Sequence, residues 1–320
     1  MAWLVTGGAG YIGAHIVRTF TDAGIQPVVV DDLSSGHRGF VADDVPFYLG
    51  SILQRDLLDR IFEEQQISGV VHLAGFKYAG VSVTKPLHTY TQNVTGMINV
   101  LESMAAHNTA NIVFSSSAAV YGTPQASVVT EAEPTRPESP YGESKLVGEW
   151  LLSDQARAGQ LQHTSLRYFN VVGSGHPDIR DTSPHNLFPL IFRALAAGDT
   201  PAIYGDDYPT PDRTCVRDYV HVADLAISHV AAAQALDANT PLAPVYNLGS
   251  GTGLSVRQIM DAVTRATGIN FTPTIKARRP GDPARIVASG QLAKRDLNWQ
   301  MRHTVDDMVA SAWAAHTTTT

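Results

Sequence analysis

Four groups of residues in this chain are of types, and at spacings, that could do chemistry together. The first is VTGGAGYIGAH over 5–15, where Gly8, Gly10 and Gly13 satisfy G-x-G-x-x-G, and Gly7, Gly10 and Gly13 a G-x-x-G-x-x-G reading. Glycines so spaced allow a tight turn, bring the backbone close to a pyrophosphate and seat a helix hard against a sheet. The helix that follows offers free N–H groups and its positive dipole end to the phosphates. The second group is Asp31–Asp32, roughly 20 residues past Gly13, where an acid accepts from the ribose hydroxyls. Two carboxylates there repel a 2′-phosphate, so the pattern predicts NAD rather than NADP.

The third group is FSSSAAVYG over 114–122 and the fourth SPYGESK over 139–145. Tyr141 and Lys145 are four apart, so on a helix they share a face and can address one site. A tyrosine with an ordinary pKa of ~10 is almost wholly protonated at neutral pH. Lowering it by ~3 units takes about 4 kcal/mol of differential stabilisation of the phenolate, which a nearby ammonium and a positive nicotinamide ring can supply. Ser117, at the carboxyl end of a predicted strand, can hydrogen-bond the same substrate oxygen as Tyr141. An isolated Tyr-x-x-x-Lys reads most simply as a solvated helix face. After a glycine loop, a ribose acid and a strand-end serine it reads as a proton-transfer site.

These groups need a scaffold that gathers them. Short apolar runs over 2–6, 26–31, 69–74, 111–115 and 164–169 alternate with helix-like segments over 11–23, 53–66, 87–107 and 141–158. That alternation predicts a doubly wound α/β fold with a parallel, Rossmann-type sheet covered on both faces. Beyond residue 172 the pattern breaks into Gly/Pro/Asp-rich loops over 173–184, 205–214 and 278–284. The expected organisation is an NAD-binding domain over 1–172 and a smaller C-terminal α/β substrate lobe over 173–316. Some elements of that lobe return to the first domain, and 317–320 is a tail.

Of 320 residues, 44% are hydrophobic and 17% charged, with a formal net charge of −7. That balance fits a globular chain and argues against a general nucleic-acid binder, which needs a basic footprint. One cysteine, Cys215, leaves no internal disulfide and no cysteine-built zinc site, and it reads as a small buried hydrophobe. The twelve histidines show no ligand spacing with acidic partners, so no metal is expected. No apolar run approaches the roughly 20 residues of a membrane span, and no signal peptide is evident, so the expected compartment is cytoplasmic.

Nearly the whole chain, from Trp3 to about Trp313, resembles the extended short-chain dehydrogenase/reductase family and, within it, the UDP-glucose 4-epimerases. Besides the groups above, the resemblance is carried by HLAGFK (72–77), NVTG (93–96), LRYFNVVG (166–173), HNLFP (185–189), GDDYPTPDRTCVRDYVHVADLA (205–226), YNLGSG (246–251) and RRPGDP (278–283). It implies NAD-dependent C4 epimerisation of a UDP-hexose through a transient 4-keto sugar. Ser117 and Tyr141 would act on the substrate, with Lys145 holding the nicotinamide ribose and tuning Tyr141. The cofactor would be lined by Gly7, Gly10, Tyr11, Ile12, Gly13, Asp31, Asp32, Leu33, Ser34, Ser35 and Gly36. Ser51, Ile52, Leu73, Ala74, Gly75, Lys77, Asn93, Ser115 and Phe169 would complete that lining. Asn170, Asn186, Leu187, Ala202, Tyr204, Arg217, Tyr219, Arg279 and Asp282 would hold the UDP-sugar. The arginines suit a diphosphate, Asp282 ribose hydroxyls, and Tyr204 uracil stacking. The resemblance also implies a homodimer formed through the helices over 87–107 and 141–158.

The chain departs from the family pattern in places. Ser51 in Gly50-Ser51-Ile52 replaces an aspartate placed near adenine. Lys77-Tyr78-Ala79-Gly80-Val81-Ser82 replaces Lys-Ala-Val-Gly-Glu-Ser, bringing an aromatic and losing a charge beside the sugar. Ile286 falls where the family varies a gate between small and large, and a large gate disfavours N-acetyl sugars. Dehydratases and decarboxylases of the family carry an acid just after the Ser/Thr, where this chain has Ala118 and Ala119. Two alternatives are a 4-epimerase of another nucleotide sugar (a UDP-N-acetylhexosamine, UDP-pentose or UDP-uronate) and a silent NAD-binding regulator. The second would typically lack Tyr141 or Lys145.

Overall fold

The computed structural model describes residues 2–159, 161–278 and 283–318. Its strands are β1 (Ala2–Thr6), β2 (Gln26–Asp31), β3 (Phe47–Leu49), β4 (Ile67–His72), β5 (Asn111–Ser117), β6 (Gln162–Tyr168), β7 (Asn170–Val172), β8 (Ala202–Tyr204), β9 (Val216–Arg217), β10 (Tyr219–His221), β11 (Val245–Leu248), β12 (Leu254–Ser255), β13 (Thr274–Lys276) and β14 (Arg285–Ile286). The α-helices are α1 (Tyr11–Asp22), α2 (Arg55–Glu64), α3 (Ala79–Ser82), α4 (Pro86–Tyr90), α5 (Gly96–Ala106), α6 (Pro140–Arg157), α7 (Leu187–Ala196), α8 (Val222–Asp237), α9 (Val256–Thr267), α10 (Gln291–Leu297) and α11 (Val305–Thr318).

Seven strands form one parallel sheet in the order β11-β6-β5-β4-β1-β2-β3. The central strands are continuous apolar runs because both of their faces are covered: Trp3, Leu4 and Val5, and likewise Val28, Val29 and Val30, are fully buried. One face packs Trp3, Val5, Val29 and Val71 against α1 and α8, and the other packs Leu4, Val28, Val30 and Val70 against α2 and α5. This is a Rossmann-type sheet. The order reverses between β1 and β4, and ligands enter such sheets beyond the strands' carboxyl ends at that switch point.

The segment expected as one helix over 87–107 is α4 and α5 joined by a π turn, Thr91–Thr95. Such turns insert a residue without ending the helix, and here Asn93, within the turn, bonds the segment after β4 and Ser144 of α6. Two strands of the seven-stranded sheet come from outside the predicted set. β3 is only three residues long, and β11 returns from residue 245 to extend the sheet beside β6. Beyond β7 the remaining strands form small two- and three-stranded sheets, and α7, α9 and α11 share a separate apolar core. No described helix is long and apolar enough to cross a membrane.

Candidate active site

The turn from β1 to α1 shows why its glycines are needed. Gly7 has φ +73°, and a Cβ on Gly13 would lie 2.2 Å from the Gly7 carbonyl oxygen. α1 starts at Gly10 with no side-chain cap, so its first N–H groups face the groove. At the end of β2, Asp31 is buried and accepts from the Ala9 and Leu33 backbone N–H groups at 2.9 and 2.8 Å. Burial pushes its carboxyl above the usual range, and those two N–H groups pull it back. A glycine cradle, an uncapped helix start and a strand-end acid match a dinucleotide's pyrophosphate and ribose.

The groove over these strand ends is lined by Gly7, Gly10, Tyr11, Ile12, Gly13, Asp31, Asp32, Ser34 and Ser35. Ser51, Ile52, Leu73, Ala74, Gly75, Lys77, Tyr141 and Lys145 close it. Other residues expected there act from behind. The Leu33 N–H bonds the Asp31 carboxylate, and a Cβ on Gly36 would lie 2.8 Å from Asp31 Oδ1. Asn93 accepts from the Phe76 N–H at 2.6 Å and donates to the Phe76 carbonyl and to Ser144 Oγ, so it shapes the 75–76 turn rather than the groove wall. Phe169 lines a second cavity instead, because it follows the last residue of β6, where the chain turns toward β7. Ser115 points its hydroxyl away from the groove, to His229 Nε2 at 3.0 Å, while its carbonyl accepts from Lys145 Nζ at 2.9 Å.

α6 begins at Pro140, capped by the Ser139 hydroxyl, which accepts from the Gly142 N–H at 3.2 Å. Its first turns place Tyr141 and Lys145 on the groove side. Lys145 Nζ lies 5.9 Å from the centre of the Tyr141 ring and 4.8 Å from that of Phe114. Burial lowers the Lys145 pKa to about 8, with the Glu149 carboxylate, one turn further along α6, opposing the shift. Burial pushes the Tyr141 phenol up, and a hydrogen bond with Ser117 pulls it down. The phenol is therefore held neutral, and Lys145 Nζ is directed at the Ser115 carbonyl.

Sequence reasoning missed what supports this pair. Glu149 and Arg167 form a buried bidentate ion pair at 2.8 and 2.5 Å, joined by Ser116 Oγ and by the Tyr121 hydroxyl, which donates on to Asn247. The network fastens α6 to β5, β6 and β11. The Glu149 spacing from Lys145 and the arginine in an apolar strand were the available signals.

The second cavity is walled by Asn170, Asn186, Leu187, Ala202, Tyr204, Arg217 and Tyr219, all expected on the sugar side, together with Cys215 and Phe169. Cys215 is buried there. Arg279 and Asp282 lie outside the described residues. Asp181, which no motif flagged, lines both cavities and accepts from Asn186 Nδ2 at 2.7 Å and the Ser183 N–H at 2.9 Å. Tyr11, which also lines both, ties α1 to the 173–186 loop by donating to the Gly173 carbonyl at 2.6 Å. Ile286 lines neither cavity. It packs with Val120, Tyr121, Val129 and Leu146, as Phe169 does, and pairs in register with Arg217 through β14 and β9.

A family model described as the NAD dependent epimerase/dehydratase family matches residues 3–249. A UDP-glucose 4-epimerase of Halalkalibacterium halodurans is 41% identical, over 99% of this chain and 96% of its own. The structure of a UDP-glucose 4-epimerase of Stenotrophomonas maltophila, with bound NAD and formylated UDP-arabinopyranose, superposes with a TM-score of 0.94 at 37% identity, covering 100% of this chain and 99% of that one. One from Bifidobacterium longum, in complex with NAD+ and UDP, gives 0.90 at 37%, over 99% and 98%. With its glycine cradle, its strand-end acid and the Ser117, Tyr141 and Lys145 group, the chain belongs to the NAD dependent epimerase/dehydratase family.

Proposed function

We propose that Tyr141 and Ser117 handle the reacting hydroxyl in a chain that is an NAD-dependent C4 epimerase of a UDP-hexose, UDP-galactose or UDP-glucose. The observation that carries this assignment is the placement of Tyr141: bonded to Ser117, it lines the groove built for a dinucleotide, and that groove shares Tyr11, Lys77, Tyr168 and Asp181 with the second cavity. Residues 5–36 would hold NAD, with Asp31 at the ribose and the start of α1 at the pyrophosphate. Bound NAD supplies reversible two-electron oxidation at the sugar carbon. Tyr141 removes the 4-hydroxyl proton and returns it to the same oxygen, while Ser117 hydrogen-bonds that oxygen throughout. Lys145, charged below pH about 8, stabilises the phenolate as it forms. Arg217 binds the diphosphate and Tyr204 the base, both from the wall of the second cavity. Residues 1–172 serve the nucleotide and 173–316 the UDP-sugar, with β11 and α8 handed back to the first domain.

Assaying UDP-galactose, UDP-glucose and their N-acetyl forms side by side with added NAD tests the reading. Interconversion of the first pair is expected, and turnover of none would overturn it. The partner proposed for the exposed apolar residues Leu87 (80% exposed) on α4, Ile98 on α5 and Trp150 (56%) on α6 is a second copy of the chain. Sedimentation should give a dimer, dissociated by Leu87→Glu with Trp150→Glu; a monomeric unmutated chain removes the proposal. The cytoplasm is the compartment that suits a chain with one buried cysteine.

A further inference from the structure

The two cavities meet at a passage whose walls include Tyr11, Lys77, Tyr78 and Asp181. Tyr78 is the bulky residue that this chain carries where the family has alanine, and three groups hold its ring. His185, from the loop before α7, meets it edge-on with ring centroids 5.0 Å apart and planes at 75°. Phe76 meets it at 5.5 Å and 80°, and Phe76 is itself braced by His88 of α4 at 5.1 Å. Lys77 Nζ lies 5.6 Å from the ring centre. Edge-to-face pairs favour one ring orientation, so moving the phenol aside breaks contacts to both lobes at once.

The segment carrying Tyr78 is also tied to the proposed base. Tyr78 precedes α3, and the buried Ser82 of α3 accepts from the Tyr141 backbone N–H at 3.1 Å and donates to the Ala79 carbonyl at 2.5 Å. The segment carrying the ring is therefore anchored to the backbone of the residue that handles the sugar hydroxyl.

We propose that Tyr78, clamped by His185, is the specificity-determining residue of this chain, admitting UDP-hexoses and excluding UDP-N-acetylhexosamines. The proposal rests on the epimerase reading above. An acetamido group exceeds a hydroxyl by three heavy atoms, and one methylene of misfit already changes discrimination by roughly 10–200-fold.

The test compares kcat/KM for UDP-galactose with that for UDP-N-acetylgalactosamine in the unmutated enzyme, Tyr78→Ala, Tyr78→Phe and His185→Ala. The unmutated enzyme should strongly prefer UDP-galactose. Tyr78→Ala should reduce the preference at least ~10-fold, His185→Ala should reduce it less, and Tyr78→Phe, which keeps the ring, should leave it within about threefold. Calorimetric binding of both UDP-sugars to the NAD-loaded variants reports the same ratio should Tyr78→Ala lose turnover. Comparable use of both sugars by the unmutated enzyme, or an unmoved ratio in Tyr78→Ala, overturns this proposal alone. No turnover of any UDP-hexose by the unmutated enzyme overturns the epimerase reading beneath it.

Discussion

The groove over the β1, β2 and β4 strand ends and the cavity beneath the 173–186 loop share a passage but are built differently. In the groove, the residues placed for cofactor and chemistry (Gly7, Gly10, Gly13, Asp31, Tyr141 and Lys145) sit at the ends of strands buried on both faces or at the starts of helices packed on that sheet. Its positions are set by close-packed backbone: Gly13 leaves no room for a Cβ, and Asp31 is aimed by two N–H groups. In the cavity, Arg217 and Ala202 sit on strands of two and three residues, and Asn186 is held by a single carboxylate in a loop. Rigid walls suit chemistry that must be repeated to a fraction of an ångström. Looser walls suit a substrate that must enter, turn over and leave. The comparison predicts large, all-or-none effects from changes in the first region and graded effects in the second.

The largest effect is expected where the two regions meet. Tyr141→Phe removes the proton acceptor but keeps the ring, and should lower turnover by at least ~10²-fold while NAD and UDP binding persist. Near-normal turnover would remove Tyr141 as the base and break the assignment of chemistry to the rigid side. Next comes the buried ion pair beneath it. Removing one partner of such a pair costs roughly 3–5 kcal/mol, so Glu149→Gln should lower the unfolding free energy by about that much in a denaturant titration. The same variant should shift the pH profile. Lys145 loses its charge as pH rises through about 8, so turnover should fall above that pH. Since Glu149 favours the charged lysine, its neutralisation should move that alkaline limb to lower pH. An unmoved limb would mean that Lys145 is not the titrating group.

A smaller effect is expected from the second region. Arg217→Ala should raise KM for the UDP-sugar ten- to a hundredfold, the size of a charged hydrogen bond worth roughly 1.5–3 kcal/mol, with little change in kcat. A fall in kcat matching the rise in KM would show that this wall also shapes the reacting geometry, and would erase the contrast between the two regions.

That contrast also explains what the sequence made legible. The groove is encoded by contiguous stretches, because a tight turn and a strand end need particular residue types at fixed spacing. The glycines, Asp31, Tyr141 and Lys145 were therefore readable without any fold. The seventh strand was not, since β11 reaches the sheet only after a long excursion, and its four residues show no periodicity that local pattern could weigh. Asp181 was hidden for a related reason: an acid in a Gly/Pro-rich loop looks solvated until the loop folds over the passage. Asn93 stood in a readable motif, yet only the π turn shows that it braces a backbone turn.

The smallest effect belongs to Ser51, where a departure in sequence falls on the rigid side. It lines the groove beside Asp31 and Asp32, its N–H donates to Gln54 Oε1 at 2.9 Å, and its hydroxyl accepts from the Leu53 N–H at 3.2 Å. A neutral hydroxyl contributes about 1 kcal/mol less to a hydrogen bond than a carboxylate does. Ser51→Asp keeps an acceptor for the Leu53 N–H and presents a charged one to the groove. Against this stands repulsion from Asp31, whose carboxyl is already pushed up by burial and by Asp32. The hydrogen bond acts at contact while the repulsion crosses a solvated groove, so the first term should win. NAD should bind the variant more tightly by less than about tenfold, measured as its dissociation rate from the purified protein. Weaker binding would show that acidic crowding dominates there, and that serine at this position relieves it.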